Sequence, residues 1–193
     1  MNQKKRINRR QFLQIVAFSG AAGVALKLGL DTLSAEEIVS ETRLLMGTVI
    51  NIKAVGLDPE LATEAINASF ARMSAHESVL SRFLPGSQLS ELNQAGVTSD
   101  PHPALLTVLK QSQELSQLTD GAFDITVNPL LTLYQTSETL PSGEEIQKAL
   151  SLVDYRKLNF NEAAVSFERS EMSITLDGVA KGFIVDEGVA ELQ

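Results

Sequence analysis

The 193-residue sequence has no cysteine and no tryptophan, and only two histidines. Without cysteine there can be no disulfide, thiolate metal site, thiol nucleophile or lipidated N-terminal cysteine. The two histidines leave little material for imidazole chemistry. His76 lies on a helical pattern and His102 sits between Pro101 and Pro103, so both are read as structural. There is no internal repeat, no low-complexity tract and no long hydrophobic run. The longest apolar stretch, residues 15–30, is interrupted by Lys27 and is short for a membrane span. Basic residues are outnumbered, 16 against 24 acids, for a net charge of −8. Lys4, Lys5, Arg6, Arg9, Arg10 and Lys27 all fall in residues 1–35 beside the single acid Asp31, so the rest of the chain is more acidic still. Such a body repels phosphate backbones, which excludes nucleic acid as a partner. A phosphate-bearing ligand would need local donors or a metal to offset that field.

What is present is the composition of a folded domain, 44% hydrophobic and 21% charged. The first 35 residues read as an address. A basic segment precedes a short apolar run, the layout of a signal peptide. Asn8-Arg9-Arg10-Gln11-Phe12-Leu13 supplies the adjacent arginines of a twin-arginine signal, which directs export to the periplasm. Ala35 is the nearest cleavage candidate, but Leu33 fits the small-x-small rule poorly. An uncleaved signal would tether the protein to the periplasmic face of the inner membrane.

Residues 36–193 form the second unit. Residues 42–55 are β-branched around Gly47 and predict a strand that bends or lies close to something. Asp58-Pro59 opens a helix marked by Leu61, Ala65, Ala68, Met73 and Leu80. Residues 81–99 are polar and read as loop with at most one helical turn. Leu105, Leu106, Leu109, Leu115 and Leu118 mark a second helix ending near Asp120-Gly121. Gly143-Glu144-Glu145 starts a short acidic helix. Strands are expected over 157–160, 164–167 and 173–176, and then a helix that is still running at Gln193. That pattern reads as a chain interrupted before its fold is finished. Strands and helices that do not strictly alternate predict an α+β fold.

Four stretches could carry chemistry. Leu45-Met46-Gly47-Thr48 is by itself a strand with a glycine bulge. Ser81-Arg82-Phe83, followed by Ser87-Gln88-Leu89-Ser90-Glu91-Leu92-Asn93, is by itself a capped loop. Thr119-Asp120-Gly121-Ala122-Phe123-Asp124 is a turn with an apolar Phe123. In Leu176-Asp177-Gly178-Val179-Ala180-Lys181-Gly182-Phe183 a strand ends, glycine turns the chain, and a helix begins with Lys181 in its first turn. A lysine there opposes the helix dipole unless an anion is near, and free N–H groups at a helix start attract phosphate. The P-loop spacing is missing. On the residues alone, a phosphate site and an ordinary surface turn remain alternatives.

Taken together and in this order, the four stretches resemble the ApbE-type FAD:protein FMN transferases, over nearly all of residues 42–193. The resemblance implies an α+β, T-fold-like domain that binds FAD and Mg²⁺. It implies transfer of the FMN moiety onto a threonine hydroxyl of a target flavoprotein, with release of AMP. It places Met46, Phe83, Ala122, Phe123, Asp124, Thr175 and Lys181 at the flavin nucleotide, with Asn93 a further contact. A backbone carbonyl of Gly178 or of the neighbouring Ala180 would face the metal. Members of the family often carry an acid where Thr175 stands, and the side chains completing their metal site lie beyond the stretch matched here. No general base can be assigned. Two other readings remain: hydrolysis of FAD to FMN and AMP, and a flavin-binding module without catalysis.

Overall fold

The computed structural model describes residues 38–56 and 58–192. Expectations placed on Arg9, Arg10, the apolar run at 15–30 and Ala35 lie outside them.

The chain starts as a hairpin. Strands β1 (Ile38–Leu45) and β2 (Thr48–Val55) pair antiparallel, with Leu45 opposite Thr48. Met46 and Gly47 form the two-residue loop, at φ +52° and +66°. Two successive positive φ values match the type I′ turn, whose twist suits a tight hairpin. The single bent strand expected over 42–55 is therefore two strands. Gly47 is required by its φ rather than by crowding, since a Cβ added there would meet nothing within 4 Å.

Helix α1 (Pro59–Leu80) follows, capped by Asp58 Oδ1, which accepts from Glu60 N at 2.9 Å, with Pro59 in the first turn. Its inward face is Ala62, Ile66, Ser69, Phe70, Met73, His76 and Leu80, whereas Leu61 is exposed. Ile66, Phe70 and Met73 are almost fully buried, and each such side chain contributes roughly 1.5–3 kcal/mol to the core.

The polar stretch after α1 contains more structure than its composition suggests. Ser87 Oγ accepts from Ser90 N at 3.0 Å and caps α2 (Gln88–Ala95), which Gly96 terminates at φ +77°. Leu89 and Leu92, three residues apart, are both fully buried. This short helix replaces the expected loop. Its two apolar residues were too few for the period to stand out. β3 (Val97–Ser99) leads on to α3 (Pro103–Leu118), capped by His102 Nδ1, which accepts from Ala104 N at 3.1 Å. The buried face of α3 is Leu105, Val108, Leu109, Ser112 and Ser116, so Leu115 and Leu118 are solvent-facing and two small serines take the core positions.

A 3₁₀ turn (Ile125–Val127) runs directly into α4 (Asn128–Thr136), for which the sequence gave no expectation. α5 (Gly143–Leu150) has the reciprocal capping box of Ser142 and Glu145. A second 3₁₀ turn (Tyr155–Lys157), β4 (Leu158–Phe160) and β5 (Ala164–Phe167) follow. The second sheet is antiparallel in the order β3-β5-β4. Residues 173–176 run extended but join neither ladder. They are fixed instead by Thr175 N donating to Ile125 O at 2.8 Å and by the Asn93 amide, which donates to Ile174 O and accepts from Ile174 N, both at 2.8 Å. Helix α6 (Ala180–Ala190) then packs along α1 and ends at Ala190, rather than running to the last residue as the sequence pattern suggested. At the α1–α6 contact a Cβ on Gly188 would overlap Met73, with Cγ at 2.6 Å. Among the described residues no helix is long and apolar enough to cross a membrane.

Candidate functional site

Two clefts flank the turn between residue 176 and α6. The larger, about 590 Å³, lies between the hairpin loop, the C-terminal end of α1, the loop after it and the start of α6. Met46 and Gly47 come from the hairpin, Glu77 and Leu80 from α1, Arg82, Phe83 and Leu84 from the loop, and Ala180, Lys181 and Ile184 from α6. The hairpin loop is held in that wall by Met46 N, which donates to Glu77 Oε1 at 2.7 Å. That contact, with the half-buried Met46 side chain packed against the core, fixes the position of the two-residue turn.

Helix α6 begins at Ala180 with no side-chain cap on its first N–H groups. Lys181 is exposed in its first turn and makes no ion pair among the described residues. An uncapped helix start carries partial positive charge, and an ammonium beside it without a counter-charge is unfavourable unless an anion completes the arrangement. Far from the cleft, α6 is tied to α1. Arg72 Nη2 donates to Glu187 Oε2 at 2.8 Å, and His76 Nε2 lies 3.1 Å from the same oxygen. The Arg72 hydrogen bond, with a smaller one from His76, holds the Glu187 carboxyl below its usual range. His76 is buried there against Phe183, consistent with its structural reading.

The smaller cleft, about 370 Å³, is walled by residues 121–125, Val127, Leu131, Val153, Thr175, Asp177 and Gly178. Phe123 and Gly178 close its rim, and a Cβ on Gly178 would meet Phe123 Cε2 at 3.5 Å. Asp124 is in this wall, but its carboxylate is engaged by the fold. Oδ1 accepts from Thr126 N at 2.8 Å and from Thr126 Oγ1 at 2.6 Å, and Oδ2 accepts from Tyr155 N at 2.9 Å. Thr175 Oγ1 likewise accepts from Asp177 N at 3.2 Å.

The residues singled out in the sequence thus fall into three places. Met46, Phe83, Ala180 and Lys181 line the larger cleft, while Ala122, Phe123, Asp124, Thr175 and Gly178 line the smaller. Asn93 lines neither, because both ends of its amide bind the Ile174 backbone. Two residues were passed over, Arg82 and Asp177. Arg82 Nε donates to Asp177 Oδ2 at 2.9 Å, and Asp177 belongs to the walls of both clefts. The signal for the first was its position inside Ser81-Arg82-Phe83, beside the residue that was chosen.

The fold is shared with solved structures titled flavin transferases. The Vibrio cholerae structure "Flavin Transferase ApbE" superposes with a TM-score of 0.74 at 28% identity, covering 82% of this chain and 54% of that one. The apbe protein from Thermotoga maritima gives 0.69 at 25% identity, covering 81% and 52%. The profile described as "ApbE family" matches residues 46–193, and the chain belongs to that family. Curated relatives named "FAD:protein FMN transferase" include those of Vibrio cholerae, 28% identical over 73% of this chain and 45% of that protein, and Haemophilus influenzae, 26% identical over 91% and 55%. The chain spans about half the length of the curated relatives it matches.

Proposed function

We propose that the protein transfers the FMN moiety of FAD to a threonine hydroxyl of a target flavoprotein and releases AMP. The observation that carries this reading is the uncompensated Lys181 ammonium beside the uncapped start of α6 on a cleft of about 590 Å³. A pyrophosphate with a ring system on either side suits a turn that has a cleft on each flank. Phe83 and Phe123 offer aromatic faces, one in each cleft. In the proposed reaction the threonine oxygen bonds to the FMN phosphorus, the pyrophosphate P–O bond breaks, AMP leaves with the electron pair, and the hydroxyl proton passes to solvent. Lys181 acts by neutralising phosphate charge as it is redistributed.

Mg²⁺ belongs to the proposed reaction, and the Gly178 or Ala180 carbonyl would be one of its ligands. The described residues do not by themselves fit that ion. Among them no three carboxylate or imidazole side chains converge, and the acid next to Gly178 is paired with Arg82. Octahedral Mg²⁺ needs more oxygen ligands than backbone carbonyls supply. No step is therefore routed through it.

The test is to incubate the protein with FAD, Mg²⁺ and a flavin-accepting domain, then weigh that domain by mass spectrometry. An FMN-sized gain is expected once side chains that complete the Mg²⁺ site are present, and none from residues 1–193 alone, whose described side chains do not complete it. Free FMN with an unmodified acceptor would show hydrolysis, and intact FAD bound without turnover would show a binding module. Export through the twin-arginine pathway to the periplasm is part of the same proposal and rests on Arg9-Arg10. Replacing both by Lys is expected to hold the protein in the cytoplasm, and unchanged periplasmic arrival would remove it.

A further inference from the structure

Arg82 and Asp177 stand 95 positions apart in sequence and meet at the junction of the two clefts. Arg82 Nε and Nη2 both reach Asp177 Oδ2, each at 2.9 Å. The guanidinium also stacks on Phe83, with Cζ 4.0 Å from the ring centroid. Its side chain is 11% exposed, against 44% for Asp177. An exposed ion pair contributes little because two flexible side chains must be ordered. This arginine is already ordered by stacking and burial, so its fork is fixed in advance.

The consequences fall on α6. Asp177 begins the turn that ends in Lys181, and Val179 N and Ala180 N both donate to Leu176 O within it, at 3.0 and 2.7 Å. A carboxylate at that place is a liability for an anion site, since it would offset the Lys181 charge one helical turn away. We infer that Arg82 is a positioning residue for the nucleotide phosphates: it pins the Asp177-Gly178 turn, and it cancels the Asp177 charge so that this carboxylate does not offset Lys181 and the helix start. This rests on reading the larger cleft as the nucleotide site, and it adds a role for two residues of that cleft's wall that act through the turn.

The test is a double-mutant cycle of R82Q, D177N and the combined variant, with R82K as the conservative control, read in two ways. FAD titration by fluorescence reads the charge. R82Q leaves Asp177 uncompensated and is expected to weaken FAD binding about tenfold, the scale of two charges interacting near a protein surface. D177N and the combined variant lose the pin but leave no uncompensated carboxylate, so both are expected to bind FAD more tightly than R82Q and less tightly than the parent, with R82K retaining most of the parent's affinity. Amide hydrogen exchange without nucleotide reads the positioning. Val179 and Ala180 are expected to exchange faster in R82Q, D177N and the combined variant alike, because either loss breaks the same contact. Exchange at Val165 in β5 is expected to stay unchanged, showing that the fold is intact. A combined variant that binds FAD no better than R82Q, or exchange effects that add, would overturn the inference. A parent that binds no FAD would sink the functional reading instead, and the exchange cycle would still decide whether the pair pins the turn.

Discussion

The larger cleft presents an ammonium that makes no ion pair among the described residues, while in the smaller cleft the Asp124 carboxylate accepts three hydrogen bonds from the protein itself. In one wall the charge is left over for a ligand. In the other it builds the wall, joining the first 3₁₀ turn to the second through Thr126, whose Oγ1 accepts from Asp154 N at 2.8 Å. The difference separates two ways a polar residue can belong to a site. Lys181 can recognise an anion directly, whereas the smaller cleft offers shape and apolar surface from Phe123, Val127 and Leu131. The same residue types in a motif can therefore do opposite work, and hydrogen-bond partners tell them apart.

The comparison is broken most sharply at Asp124. Asp124→Ala removes an acceptor for three donors in a half-buried wall, and is expected to cost about 2–4 kcal/mol of stability in urea denaturation. Normal stability with lost FAD binding would make Asp124 a ligand contact and erase the contrast. Lys181→Ala is the converse case. Its exposed side chain is expected to leave the denaturation midpoint unchanged while FAD affinity falls by about 1–3 kcal/mol, the range for one charge-assisted contact. Equal affinity in both forms, by fluorescence titration, would return the α6 turn to an ordinary surface turn. Asn93→Ala is expected to cost about 1–2 kcal/mol in stability by freeing the Ile174 backbone from two hydrogen bonds. A loss of FAD affinity larger than that of Lys181→Ala would put Asn93 back among direct contacts.

The sequence carried the α+β fold class, and the strings singled out for chemistry fold into the walls of two clefts. Met46, Phe123 and Lys181 were legible because each sits in a short string around a glycine, and Phe83 through the Ser81-Arg82-Phe83 string of the family resemblance; all four fall in cleft walls. Asn93 and Asp124 were legible as special positions, but their hydrogen bonds within the fold were not, because those partners lie in other segments. The hairpin was missed because Met46-Gly47 lacks the Asn-Gly or Asp-Gly signature, and Met46 takes a positive φ without the usual side chain. α2 was missed because its apolar content is two leucines, and its strongest local signals are the Ser87 cap and Gly96. In α3 the leucines at 115 and 118 pulled the expected face away from the one that Ser112 and Ser116 occupy, since small polar residues can fill tight helix contacts. The Arg82–Asp177 pair lay wholly outside local reading, as its two halves are 95 residues apart.

The smallest expected effect concerns α6 beyond the larger cleft. Glu187 joins α6 to Arg72 and His76 on α1, and the Arg72 hydrogen bond in particular holds its carboxyl below the ordinary value of 4.5. A carboxyl whose folded pKa is depressed contributes stability that is fully present above its unfolded pKa and is lost as pH falls through the folded one. The contribution is therefore complete near neutrality and fades only below 4.5. Both Glu187 and Arg72 are partly exposed, so the contact is worth about 0.2–1 kcal/mol. In urea titrations, Glu187→Gln is expected to lie below the parent by that amount at about pH 6, with the gap closing towards about pH 3 as the parent carboxylate protonates. Buried packing between Met73 and Gly188, which has no titratable group, is expected to keep α6 in place throughout. A gap that widens on acidification would mean that Glu187 is stabilised when protonated, and would remove it as the charged anchor of that wall.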